Sequence, residues 1–131
     1  MKFMVSLIND GTSMEGATPE QMEETGAKMS RLMGELRKAG VLLHTGALAP
    51  SATARTLRYG EEGKPVVTDG PFAESKEQIA GYMVLECEDL DEAVGWAEKL
   101  PVRRSSVEVR AISEGTTEEN AEAHKRAAEM A

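Results

Sequence analysis

Thr18-Pro19-Glu20-Gln21 constrains the fold of this chain more than any other four residues. Thr18 is placed to cap a helix, Pro19 suits the first helical position, where a backbone N–H has no partner anyway, and Gln21 completes a capping box. From that start Met22, Met29, Leu32, Met33 and Leu36 keep a helical spacing with Gly26 in the same stripe, while Glu23, Lys28, Arg31 and Lys38 fall largely elsewhere. Arg37 and Lys38 suit the negative end of the helix dipole, and Gly40 stops the helix. Before it, Phe3, Val5 and Leu7 alternate with Met4, Ser6 and Ile8, so both faces of the segment are fairly apolar, as in a central strand. After it, Val41 to Leu48 reads as a second strand. A helix bounded this firmly between two strands is a β-α-β unit.

A second unit follows the same plan. Ile79 to Cys87 is the strongest strand in the chain, and Asp89 caps a helix with Glu92 three residues on. Leu90, Ala93, Val94 and Ala97 form its buried stripe, Pro101 marks its end, and Val107 and Val109 alternate with Glu108 and Arg110 in a closing strand. Between the units, Thr53 to Tyr59 alternates, Gly60-Glu61-Glu62-Gly63-Lys64 turns, and Pro65 to Thr68 returns, the proline pointing to an edge or a strand start. Two units with a hairpin between them predict an α+β fold: a ferredoxin-like sandwich with both helices on one face of an antiparallel sheet. The length, 131 residues, fits a single domain. Residues 1–112 form its body and 113–131 a polar helical tail, capped at Thr116 or Thr117 and apolar only through Ala and Met130.

Composition narrows the function. A net charge of −8 repels phosphate backbones, so direct nucleic-acid binding is not expected. The lone Cys87 excludes an internal disulfide and a multi-cysteine metal site, and at the end of an apolar strand it reads as a small buried hydrophobe. The N-terminal apolar run is too short to span a membrane and leads into Asn9-Asp10-Gly11 rather than a cleavage site, which makes a cytoplasmic protein the default. Neither a His-x-x-x-His pair nor a phosphate loop is present, and no metal or cofactor is expected. The two-faced apolar strands, with two well-patterned helices to cover them, predict a homodimer.

The candidate chemistry sits at two positions. Asp69 ends a strand before Gly70-Pro71-Phe72, where its carboxylate serves either as a base or ligand acceptor, or as the cap of its own Asx turn. His44, in the strand after the first helix, carries an imidazole suited to proton transfer or fills the rim of the fold; in regular alternation it shares a face with Leu42, opposite Leu43 and Thr45. Arg55, Arg58, Arg103, Arg104 and Arg110 are candidates to hold a carboxylate, or form an exposed row balancing the excess Glu. Phe72 reads as a plug for the sheet or dimer core, and His124 as a solvated residue of the tail.

The stretch VTDGPFAESKEQIAGYMVLECEDLDEAVGWAEKLP, together with KFMVSLI, AGVLLHTGALAPSATA and VEVRAI, resembles the DGPF, or YCII-related, family over residues 1 to about 112. The resemblance implies a dimeric α+β barrel made by two ferredoxin-like sheets packed face to face. It also implies an association with extracytoplasmic-function sigma factors, and a related branch is suspected of using a His–Asp pair. This chain departs from the usual pattern in having Ala111 for a proline after Glu-Val-Arg, and Leu100 where many members carry His or Cys. The expectation is an accessory protein of sigma-factor-linked regulation with a small-molecule pocket. The alternative is a small-molecule enzyme that uses Asp69 with His44 or an Arg as its acid and base.

Overall fold

The computed structural model describes residues 1–71, 77–113 and 117–130. Among these described residues six strands and three helices follow in the order β1 (Lys2–Asn9), α1 (Pro19–Lys38), β2 (Leu42–Ala47), β3 (Arg55–Arg58), β4 (Val66–Asp69), β5 (Gln78–Glu86), α2 (Leu90–Ala97), β6 (Ser106–Ala111) and α3 (Thr117–Met130), with a 3₁₀ turn at Ser51–Thr53. Four strands form one antiparallel sheet in the order β2-β5-β1-β6, and β3 and β4 form a separate two-stranded sheet. Because β5 lies between β1 and β2, and β1 between β5 and β6, the two β-α-β units interleave. The fold is α+β, as expected, with the inserted hairpin outside the main sheet.

Local chemistry explains the helix boundaries. Thr18 accepts a hydrogen bond from the Gln21 N–H while the Gln21 side chain accepts one from Thr18, so the capping box is closed at both ends. At the other end Gly40, with φ +73°, lets its own N–H reach the Arg37 carbonyl and the Val41 N–H reach that of Leu36, a Schellman closure. That closure also brings Leu36 and Val41 together in the core. Asp89 accepts from the Glu92 N–H at the start of α2, but Glu92 reaches back to Glu88 rather than to Asp89.

The core lies between the helices and one face of the sheet. Phe3, Val5, Met83 and Leu85 from the two central strands pack with Leu32 and Leu36 of α1 and Ala93 and Ala97 of α2. Of the expected stripe on α1, Met29 and Met33 are half-buried, and Met22 is 48% exposed. The opposite face carries Met4, Ser6, Tyr82 and Val84, with Glu108 and Arg110 beside them on β6, and is covered by neither α1 nor α2.

Among the described residues the core takes none from α3. Deleting residues 118–131 is therefore expected to leave a single cooperative heat transition, followed by far-ultraviolet circular dichroism. Loss of that transition would mean that the tail supplies core contacts.

Candidate functional site

The two residues singled out from the sequence sit on different sheets. Asp69 is the last residue of β4 and pairs in register with Arg55 of β3, whose Nε lies 3.5 Å from Oδ1. Its side chain is 93% exposed. The turn beyond it is held through the backbone of Gly70, at φ +101°: its N–H donates to the Ala54 carbonyl at 2.7 Å, and its carbonyl accepts from the Thr56 hydroxyl at 2.8 Å. An exposed carboxylate facing an exposed guanidinium contributes little to stability. Asp69→Asn and Asp69→Ala are each expected to unfold at the urea concentration of the parent, and a clear drop for Ala alone would restore the Asx-cap role. Phe72 lies outside the described residues.

His44 occupies the face opposite to Leu42, a correction to the regular alternation. The register of β2 against β5 shifts between Leu42, which pairs with Leu85, and His44, which pairs with Val84. Leu43 is the extra residue, and it turns His44 away from the helices, onto the face of Tyr82. There the Tyr82 hydroxyl and His44 Nδ1 are hydrogen-bonded at 2.9 Å, and the two rings stack 5.5 Å apart. Gly46 makes that approach feasible: a Cβ there would stand 3.0 Å from Cε1 of Tyr82 and 3.1 Å from its hydroxyl. The Thr45 hydroxyl fixes the same residue from behind by donating to the Tyr82 carbonyl at 3.0 Å. Among the described residues no hydrogen bond or ion pair joins His44 to Asp69.

A cavity of about 290 Å³ opens on the helix side of the sheet. Leu7, Thr45, Ala47, Gly81 and Met83 lie along its sheet wall, and Met29, Met33 and Leu100 face them from α1 and from the segment after α2. Among the described residues no acidic or basic side chain lines it. A second register shift, between Leu7 and Ile8, leaves Ala80 as an extra residue of β5 at the cavity wall. Two of the other depressions are polar or mixed. One holds Asn9, Asp10, Glu77, Arg104 and Ser105; here the Thr12 hydroxyl and N–H hold the Asp10 carboxyl below its usual range, with the Arg104 charge adding to the effect. The other runs between the hairpin and the main sheet, past Arg55, Pro71 and Ile79. Among the described residues no group of three or more His, Cys, Asp or Glu is placed to hold a metal ion, and no helix is long and apolar enough to cross a membrane.

The YCII-related domain matches residues 1–116. The chain belongs to that family. A second YCII-related protein makes the relationship concrete: an uncharacterised protein of Rhizobium meliloti strain 1021 is 35% identical over 100 residues, 76% of this chain and 80% of its own. Among solved structures, the 5-chloro-2-hydroxyhydroquinone dehydrochlorinase of Burkholderia phenoliruptrix AC1100, in complex with 2,5-dihydroxybenzoquinone, is 14% identical. Its TM-score is 0.44, with 88% of this chain and 96% of that one covered, and no functional conclusion follows from that likeness. In this YCII-related protein the sequence pointed to Asp69 and His44 but not to Tyr82, Gly46, Met29, Met33 or Leu100 as site residues. The available signal was the Gly81-Tyr82 pair inside a strong strand, since an interior strand glycine marks a close backbone approach or an open wall.

Proposed function

We propose that this protein binds a small molecule in the apolar cavity between α1 and the sheet and works as a cytoplasmic dimer. The cavity carries the reading. It has a continuous apolar lining, and Leu100 stands in its wall at the position where many family members have His or Cys. With no acid or base in that wall, binding is favoured over turnover. The dimer is supported by the sheet face that neither α1 nor α2 covers; in a ferredoxin-like sheet, face-to-face packing on a second copy would make the α+β barrel. A role accessory to sigma-factor-linked transcription rests on the family resemblance, with the bound state of the cavity as the signal.

The His44–Tyr82 hydrogen bond favours a second reading, an enzyme whose proton donor and acceptor lie on the other face of the sheet. Asp69, paired with Arg55, would then act only if ligand or partner brought it closer. A fragment screen by ligand-observed NMR separates the two. On the first reading, Ala47→Phe, which fills the cavity from β2, abolishes the hits while His44→Ala keeps them. The reverse pattern would move the site to the other face, and an absence of hits would reject both. Light scattering across a dilution series should give about twice the 14.1 kDa chain mass; a monomer at micromolar concentration would remove the dimer from the proposal.

A further inference from the structure

We infer that the cavity is built for an uncharged, flat aromatic molecule of about two fused rings carrying a single hydrogen-bond donor. This rests on the cavity being the ligand site and adds the class of ligand. Size comes first: an apolar cavity of about 150 Å³ accepts benzene, and this one is about 290 Å³. One ring would leave it half empty, whereas two fused rings use the space.

Charge comes next. A carboxylate or ammonium entering this wall would lose its hydration and meet no counter-charge among the described residues, none of whose lining side chains is acidic or basic. Among the described residues the one hydroxyl on the cavity side of the sheet is that of Thr45, and its hydrogen is committed to the Tyr82 carbonyl. Its oxygen can still accept one hydrogen bond, which suits an indole-type N–H or a phenol O–H.

Shape decides between a ring and an alkyl chain. Gly81 leaves the sheet wall without a side chain opposite Ala47, where a Cβ would lie 3.2 Å from the Gly46 carbonyl oxygen. The wall there is bare backbone, flat on the scale of a ring. Met29 and Met33, one helical turn apart on α1, face it, with Met83 on the sheet. Thioethers make favourable contacts with aromatic rings and adapt to their outline.

The test uses 2-naphthol, 2-naphthoate and cyclooctanol as probes against protein labelled with ¹³C at the methionine methyl groups. 2-Naphthol should shift the methyl signals of Met29, Met33 and Met83, and bind at least about tenfold more tightly than the charged 2-naphthoate or the non-planar cyclooctanol. Gly81→Ala should weaken 2-naphthol by a similar factor while the remaining methionine signals stay in place. Should that variant unfold, Ala47→Phe provides the same blockade from β2 and must give the same loss. Equal or tighter binding of cyclooctanol or 2-naphthoate at those methyl groups would overturn the aromatic, uncharged class and leave the cavity reading standing. If none of the three probes moves those signals, the cavity reading falls with it.

Discussion

Leu36→Ala is expected to lower the free energy of unfolding by about 3 kcal/mol, a large part of the roughly 5–15 kcal/mol available to a domain of this size. Leu36 is fully buried and does two things at once. Its side chain fills the space between α1 and the sheet, and its carbonyl accepts the Val41 N–H that closes the helix. Truncation leaves the carbonyl in place but removes the apolar contact with Val41 that accompanies a Schellman closure. The control is Leu43→Ala, in the same region but 48% exposed, for which less than about 0.5 kcal/mol is expected. Urea titration of both variants measures the difference. Similar losses at the two positions would show that the core is not where the packing places it.

Cys87 is expected to react with a thiol reagent at pH 8 at least about a thousandfold more slowly in the folded protein than in urea, since attack must wait for opening. The side chain is 4% exposed. Burial pushes its thiol up from an ordinary value near 9 to about 11, the charges of Glu92, Glu86 and Asp89 adding to the effect and the N-terminal ammonium opposing it. The same shift sets a pH dependence. As pH rises past about 9 the unfolded chain releases the proton first, so from there to about 11 the folded state holds more protons and stability falls. Cys87→Ala or Cys87→Ser should flatten that alkaline decline. Fast labelling of the native protein, or an unchanged decline in both variants, would place the thiol at the surface.

The legible parts of the fold were those written in adjacent residues. Thr18 with Gln21, Gly40 after Lys38, and Asp89 before α2 each act within a few positions, and each does in the structure what its neighbours dictate. The side of the sheet on which His44 lies was not legible, because a bulge adds one residue without changing composition, and period-two alternation then assigns the wrong face. The cavity was hidden for another reason. Met29 and Met33 look like the rest of a core stripe, and only the fold brings them opposite Gly81 and Leu100 around a shared cavity. Asp69 stood out through its motif, yet its environment, an exposed pair with Arg55, depends on a strand register that no single stretch of residues encodes.

The bulge at Leu43 also limits how copies of the chain can associate. β2 is one border of the four-stranded sheet, and an extra residue there breaks the regular row of N–H and C=O groups that an incoming strand would need. The other border, β6, is six residues long and carries Glu108 and Arg110. Head-to-tail strand addition, β2 of one copy on β6 of the next, has no natural end, since every added copy presents a fresh border. Stacking on the face of Met4 and Val84 does end, because each copy has one such face and a pair uses both. A single inserted leucine thus weights self-association toward a closed pair and away from a fibre.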